Sequence, residues 1–139
     1  MTQTNLVNLS YLIVDDELRS RKILKTLLEK GIGANDVMTL GQPEKFSSIL
    51  RTLNPVPDVV FLDLMMEPLS GFDLLVILRQ LPRYSQTIAV AVTARAMPHD
   101  IELMQSAGFD GLISKPIVRQ VFGELLGRIV SGEKLWYIA

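Results

Sequence analysis

Four apolar runs of the sequence end at a residue whose side chain can bind or transfer a charged group. Carboxylates follow or close two of these runs, a hydroxyl closes the third, and an ammonium group follows the fourth. Clustered carboxylates need a cation to offset their repulsion, and oxygen ligands select a hard one such as Mg²⁺. A metal, an ammonium and a hydroxyl together form a cradle for a phosphoryl group carried on a carboxylate. The residues concerned are Asp15 and Asp16, Asp63, Thr93, and Lys115.

Asp63 closes the run Asp58–Asp63, whose β-branched and aromatic residues are typical of a strand buried on both faces. In open α/β sheets, ligands bind just outside the carboxyl ends of the strands, which is where this carboxylate falls. The alternative is that Asp63 caps the next helix. Ser70 is the better cap, because it directly precedes the helical run from Gly71 to Leu81. On this stretch alone, a functional and a structural role for Asp63 stay equally open. Its place at the centre of the four groups makes it the predicted phosphoryl acceptor.

A regular alternation of strands and helices in the sequence is expected to position these residues. Such alternation predicts βαβ units with right-handed crossovers, and hence an α/β fold with a doubly wound, five-stranded parallel sheet. Parallel strands bring all their carboxyl ends to one edge, so the four groups are expected to meet. The predicted strands are 9–14, 36–40, 58–63, 87–93 and 109–114, and the predicted helices are 18–30, 43–54, 71–81, 98–107 and 117–130.

Length and composition limit the function classes. With 139 residues the chain is expected to form one domain, residues 9–131, with an N-terminal extension 1–8 and a C-terminal tail 132–139. The net charge of −1 argues against direct binding to nucleic acid. The chain has no cysteine, no secretory h-region and no apolar run near the ~20 residues of a membrane span, which predicts a cytoplasmic protein.

From Tyr11 to Val130 the chain resembles the receiver domain of bacterial two-component response regulators. The resemblance rests on four motifs taken together, and Thr93 and Lys115 follow Asp63 by 30 and 52 positions, as expected in that family. It implies a flavodoxin-like (βα)5 fold with strand order 2-1-3-4-5, similar to that of the single-domain chemotaxis regulator. The motifs are Asp15-Asp16, Asp63 followed by Gly71, Thr93-Ala94, and Lys115-Pro116.

The resemblance also implies roles. Asp63 would accept a phosphoryl group from a sensor histidine kinase or a histidine phosphotransfer protein. Mg²⁺ would be held by Asp16, Asp63 and the Met65 backbone carbonyl, with Asp15 acting through water. Lys115 would pair with the acyl phosphate, and Thr93, followed by Ala94, would turn to bind it. This change would reach a downstream protein through the face formed by the fourth helix, fifth strand and fifth helix, and Lys115-Pro116 would be a cis peptide.

Two departures from the family pattern, and the residues at two variable positions, bear on how the site works. Leu112 stands where the family usually has an aromatic switch residue, so an aromatic rotamer change cannot carry the signal from that position. Glu67 separates Met66 from the loop proline and is interpreted as facing solvent. Met65 and Arg95 occupy the two positions that tune phosphoryl lifetime in the family. Because an apolar Met cannot orient an attacking water, slow self-hydrolysis is predicted.

Other interpretations of single motifs remain open. Asp15 and Asp16 alone would suit an acidic first helical turn, and the lone His99 is interpreted as a surface residue. The fold alone would also serve a pseudo-receiver that docks proteins without phosphorylation. An aspartyl-phosphate hydrolase of the haloacid dehalogenase type would need a second Asp at position 65, which is Met here. A flavin-binding flavodoxin would need a phosphate loop after Val14. The preferred prediction is a phosphoacceptor switch that is not an enzyme, acting in trans or through association of two copies.

Overall fold

The computed structural model describes residues 5–139, so the first four residues of the predicted N-terminal extension lie outside the described residues. One six-stranded parallel sheet runs through it, in the order β2-β1-β3-β4-β5-β6. The predicted doubly wound sheet with order 2-1-3-4-5 is confirmed, and a sixth strand extends it. The strands are β1 Ser10–Val14, β2 Asp36–Leu40, β3 Val59–Asp63, β4 Ile88–Thr93, β5 Gly111–Ser114 and β6 Leu135–Tyr137.

Five α-helices connect the first five strands and lead into β6. Helix α4 has the predicted bounds, and α3 and α5 are two residues shorter than predicted. The first predicted helix divides into an α-helix and a π-helical segment, Leu27–Ile32, which ends at Gly33 in the left-handed region (φ +88°). The helices are α1 Leu18–Thr26, α2 Phe46–Leu50, α3 Gly71–Arg79, α4 Pro98–Ala107 and α5 Arg119–Val130.

Helix α2 is much shorter than the predicted segment 43–54. A 3-10 turn, Pro43–Lys45, precedes it, and the chain leaves the helix after Leu50. The N–H groups of Thr52 and Leu53 both donate to the Ile49 carbonyl, which closes a turn. Pro55 lies just beyond and has no N–H with which to continue a helix. The apolar periodicity of this region therefore reflects a helix and a packed turn together.

The sheet separates two apolar clusters, one on each face. Alternate residues of β1 show the division, since Leu12 and Val14 face the cluster with α2, α3 and α4, while Tyr11 and Ile13 face the cluster with α1 and α5. All five residues of β1 and of β3 are buried. Burial of a Leu or Phe side chain contributes roughly 1.5–3 kcal/mol, so the central strands are rigid supports for residues at their ends.

Part of the predicted C-terminal tail, residues 132–139, joins the sheet as its sixth strand. Leu135, Trp136 and Tyr137 form β6 and pair in register with Gly111, Leu112 and Ile113 of β5. A Cβ atom at position 111 would lie 2.8 Å from the Leu135 carbonyl oxygen and from the Ile129 side chain. The absence of a side chain at Gly111 thus lets β6 approach. Within residues 5–139, no helix combines the length and apolar character that a membrane crossing requires.

Candidate functional site

Three carboxylates meet at the carboxyl edge of the sheet, where β1 and β3 end. One oxygen from each of Asp15, Asp16 and Asp63 lies within 4.8 Å of the others. The side chains of Asp15 and Asp63 are only 6% and 8% exposed, whereas Asp16 is exposed. The predicted convergence of these residues is therefore present, with two acids buried and the third open to solvent.

Lys115 bridges the two buried carboxylates. Its Nζ donates to Asp15 Oδ2 at 2.9 Å and to Asp63 Oδ2 at 3.2 Å, and its side chain is 19% exposed. A third hydrogen bond goes to Ser20 Oγ at 3.2 Å. One ammonium group thus uses three donors and offsets part of the charge of two acids. With Asp16 included, the three acids outnumber this cation, so the cluster retains net negative charge.

Burial governs the protonation of Asp63. Desolvation raises the pKa of Asp63, and the charge of Asp15 raises it further, against the lowering effects of the Met65 N–H and of Lys115. For Lys115, burial lowers the pKa, but hydrogen bonds and charges from Asp15 and Asp63 outweigh it, so the pKa is raised. The lysine therefore stays charged, while the ionised form of Asp63 is held at a free-energy cost.

The backbone after each strand orients the two buried carboxylates. Met65 N donates to Asp63 Oδ1 at 3.1 Å, which leaves Oδ2 directed at Lys115. Glu17 N donates to Asp15 Oδ1 at 2.9 Å in the same way. Both acids therefore have one oxygen fixed by the following loop and the other turned to the shared cation. Met65 is 59% exposed. The role of its backbone carbonyl as a metal ligand stays a prediction.

Gly71 sets how closely α3 approaches the acceptor strand. A Cβ atom there would lie 2.5 Å from the Asp63 carbonyl oxygen and 3.0 Å from Leu64 Cα, both backbone atoms. Ser70 caps α3, since its Oγ accepts from Asp73 N while Asp73 Oδ2 accepts from Ser70 N. The capping role predicted for Ser70 is confirmed, and Asp63 does not serve as that cap.

Thr93 ends β4 next to the cluster, with its side chain buried. Its Oγ1 accepts from Arg95 N at 3.2 Å, so in this structure the hydroxyl is engaged with its own loop. Its carbonyl accepts from Lys115 N at 2.8 Å, which ties the ends of β4 and β5 together. Ala94 and Arg95 are exposed. Thr93 thus lies at the same edge of the sheet as the acidic cluster, with its hydroxyl hydrogen-bonded within its own loop.

Two residues of α1 join the site without having been predicted. Ser20 Oγ accepts from Lys115, and Arg21 Nη1 donates to the Asp15 carbonyl at 2.7 Å. A signal for Ser20 exists in the sequence, because it precedes the buried Leu24 by four positions and so lies on the same inward stripe of α1. Arg21 precedes Leu24 by three positions and lies on the same face, but its contact with the Asp15 carbonyl depends on where α1 sits over the sheet.

A cleft of about 430 Å³ opens beside the acids between α1 and the β5–α5 connection. Its floor includes Asp15, Asp63 and Lys115, while its walls are largely apolar. Ile23, on one wall, is 49% exposed. The cleft therefore joins a charged centre to a largely apolar surface.

The remaining predicted residues flank this centre. Pro116 lines the cleft, and the Lys115–Pro116 peptide is cis. Leu112 is completely buried in β5. Glu67 and His99 are exposed, and the acidic cluster among the described residues does not include Glu67. The solvent-facing interpretation of both residues agrees with their positions.

Comparison with known proteins identifies the family. The response regulator receiver domain family matches residues 11–126. Stress response regulator protein 1 of Scheffersomyces stipitis is 34% identical over 108 residues, covering 78% of this chain and 37% of the relative. The protein of the same name in Candida tropicalis is 31% identical over 84% of this chain and 44% of its own length. The chain thus spans less than half the length of these curated relatives.

Solved structures agree on the fold. The chemotaxis protein CheY4 of Vibrio cholerae superposes with a TM-score of 0.78 at 21% identity, over 88% of this chain and 98% of its own. The receiver domain of the sensor histidine kinase PA1611 from Pseudomonas aeruginosa, with magnesium coordinated in its active-site cleft, gives 0.75 at 18% identity over 89% and 98%. The resemblance inferred from the motifs is confirmed: this chain belongs to the response regulator receiver domain family.

Proposed function

We propose that the chain is a phosphoacceptor switch in which Asp63 receives a phosphoryl group from a phosphohistidine. The observation that carries the proposal is the buried Asp63 carboxylate, with Oδ1 fixed by Met65 N and Oδ2 facing Lys115. An acid held at a free-energy cost among other acids, at the carboxyl edge of a parallel sheet, is suited to reaction rather than to stability. The chain acts as the acceptor and not as an enzyme with a turned-over substrate.

The donor set suits Mg²⁺. Three carboxylate oxygens within 4.8 Å of one another, with a single lysine between the buried pair, leave negative charge for a hard divalent cation. Asp16, Asp63 and the Met65 carbonyl would hold the ion, with Asp15 acting through water. When bound, Mg²⁺ supplies charge that offsets the repulsion between the acids and an incoming phosphoryl group. The magnesium in the PA1611 receiver domain supports this assignment.

The residues of the chain each have a part in the transfer. One Asp63 carboxylate oxygen attacks phosphorus, an O–P bond forms, and the P–N bond breaks with its electron pair returning to the histidine nitrogen. Lys115 can move one of its donors to a phosphoryl oxygen, because Asp15 and Ser20 keep its remaining hydrogen bonds. Thr93 can exchange its hydrogen bond from Arg95 N for one to the phosphoryl group. Movement of Thr93 then alters the loop before α4.

The proposed donor is a sensor histidine kinase or a histidine phosphotransfer protein, and the proposed site of action is the cytoplasm. The apolar cleft beside Asp63 supports docking of a protein donor, since it would shield the transfer from water. Phosphorylation would reach a downstream protein at the α4-β5-α5 face, which in this chain includes β6. Membership in the receiver family supports this partner class.

Intact mass tests the proposal directly. The full chain is incubated with acetyl phosphate and Mg²⁺, and a gain of one phosphoryl group is expected. Asp63→Ala and an EDTA control should show no gain. Glu67→Gln is a matched control, because it removes a neighbouring exposed acid outside the carboxylate cluster and should be modified like wild type. A folded wild-type protein without the gain, or a gain that persists in Asp63→Ala, would contradict the proposal.

A phosphorylation-independent docking module is the second candidate. The observation in its favour is Leu112, which is buried at the position where an aromatic switch residue is expected. Under this alternative the mass does not change, while a partner still binds the full chain with equal affinity with or without acetyl phosphate. The complete set of acids, lysine and hydroxyl favours the phosphoacceptor.

A further inference from the structure

Strand β6 covers the sheet edge at which β5 would otherwise be free. Leu112 of β5 lies beside Trp136 of β6, and Leu135 is buried against the cluster that contains α5. The outer hydrogen-bonding edge of β5 is therefore occupied by the chain itself. A partner that approached α4, β5 and α5 would meet β6 before it met β5.

Outside its backbone pairing, β6 is anchored by one buried side chain, Leu135. The strand has three residues, and Trp136 and Tyr137 are only half-buried. Lys134 Nζ pairs with Asp110 Oδ1 at 2.7 Å on a largely exposed lysine. Exposed ion pairs add little stability, and short terminal strands open at low free-energy cost. The part of the strand beyond Leu135 is therefore held in place without belonging to the buried core.

One contact fastens the end of β6 to the functional site. Ala139 N donates to Ser114 Oγ at 2.9 Å. Ser114 is buried, is the register partner of Thr93, and directly precedes Lys115, whose Nζ contacts Asp63. Ser114 thus links Ala139, two positions beyond β6, to Thr93 and Lys115, the two residues predicted to bind a phosphoryl group.

Trp136 of β6 lies next to Leu112, the position in β5 where the family usually has an aromatic residue. It lies beside Leu112 in register and packs against the core cluster to which Leu112 belongs. An aromatic ring is therefore present at this place in the sheet, but it is supplied by the neighbouring strand. Because it is the only tryptophan of the chain, its emission reports on β6 alone.

We propose that β6 is a latch over the outer edge of β5 and that loading of Asp63 with a phosphoryl group loosens it. This inference rests on the proposed function. The group enlarges the acid that Lys115 contacts and draws Thr93 toward it, so the chain at Ser114 is displaced. The Ser114 hydrogen bond already has the usual N–H···O length, so displacement in either direction weakens it. Opening of the latch exposes the edge of β5 to a partner.

Hydrogen exchange of the full chain, with tryptophan emission alongside, tests the latch. Under acetyl phosphate and Mg²⁺, amides of residues 133–139 should exchange roughly fivefold faster, the factor expected for one lost hydrogen bond. Trp136 emission should shift to the red. Ser114→Ala should accelerate the same amides without any phosphoryl donor. Ser48→Ala, which removes an exposed hydroxyl far from β6, should leave them unchanged.

Intact mass recorded on the same samples tests the phosphoacceptor separately from the β6 latch. A mass gain with unchanged or slower exchange at residues 133–139 overturns the latch and leaves the phosphoacceptor intact. Absence of a mass gain overturns the phosphoacceptor together with its coupling to β6. Unchanged exchange in Ser114→Ala, with the fold retained by circular dichroism, overturns the role of Ser114 as the fastening residue.

Discussion

Asp63→Asn is expected to make the metal-free protein more stable while it abolishes phosphoryl acceptance. The substitution removes a charge from a side chain that is 8% exposed and that lies among two other acids. The amide oxygen can keep the hydrogen bond from Met65 N. Lys115 retains Asp15 at 2.9 Å and Ser20 at 3.2 Å, so no buried cation is left unpaired. The amide nitrogen would replace Oδ2 opposite Lys115 Nζ, and this contact between two donors offsets part of the free energy gained by removing the buried charge.

The expected direction of the change in stability follows from the raised pKa of Asp63. Burial, aided by the charge of Asp15, makes the folded protein bind this proton more tightly than the unfolded chain. The stability associated with this proton is complete below the unfolded pKa, which is near 3.8, and is lost as pH rises through the raised folded pKa. Above that raised pKa the wild type bears the full free-energy cost of burying the charge. The gap between Asp63→Asn and wild type should therefore widen from acid to neutral pH.

The expected gain in stability is smaller than the full cost of burying the Asp63 charge, because existing hydrogen bonds offset part of that cost. Leaving a buried polar group poorly satisfied costs about 1–3 kcal/mol, and the contacts from Met65 N and Lys115 recover part of it. We expect Asp63→Asn to gain about 1–2 kcal/mol at pH 7. For a chain of this length that gain corresponds to a rise in Tm of roughly 3–8 °C.

Thermal and urea unfolding in EDTA, from below pH 3.8 to pH 8, measure this gain. Mg²⁺ should then reverse the order, because ligand at 100 times its Kd stabilises a folded protein by about 2.7 kcal/mol. Asp63→Asn lacks one of the charged ligands and should gain less. Glu67→Gln is the matched control, since its acid is exposed and should leave both the EDTA and the Mg²⁺ values within about 0.5 kcal/mol of wild type.

Equal or lower stability of Asp63→Asn in EDTA at pH 7 would refute this reasoning. A gap that stays constant as the pH rises from below 3.8 to 8 would also refute it, because it would show that the ionisation of Asp63 is not the source. Equal stabilisation of both proteins by Mg²⁺ would argue that Asp63 is not a metal ligand.

Three further predictions concern neighbouring residues. Gly71→Ala should destabilise the protein by about 1–3 kcal/mol in urea unfolding, because its Cβ would meet the Asp63 backbone at 2.5 Å. Gly123→Ala, whose Cβ meets nothing within 4 Å, should be neutral or stabilising, and equal losses would contradict the steric argument. Met65→Asn should shorten the phosphoryl lifetime about tenfold in a mass time course by orienting water, and an unchanged lifetime would remove Met65 as its determinant. Thr93→Ala should keep the mass gain but lose the change in exchange at β6, so a retained change would show that Lys115 alone carries the coupling.

The order of the sheet and the main chemistry were predictable because they rest on local pattern and on one topological rule. Apolar runs of strand length ending in Asp15, Asp63, Thr93 and Lys115 can be identified directly in the sequence. Parallel strands then bring their carboxyl ends together whatever the details of packing. The convergence of these side chains follows from connectivity, and so does the α/β fold.

The other features depended on contacts between distant segments. The run Leu135–Tyr137 is too short to predict a strand alone, and it becomes β6 because Gly111 leaves room beside it and Ser114 fastens its end. The short α2 and the raised pKa of Asp63 likewise depend on their surroundings. By itself the sequence determined which groups meet at the sheet edge. Only the tertiary structure decided that the chain covers its own β5 edge, because that pairing joins segments which carry no mutual signal in the sequence.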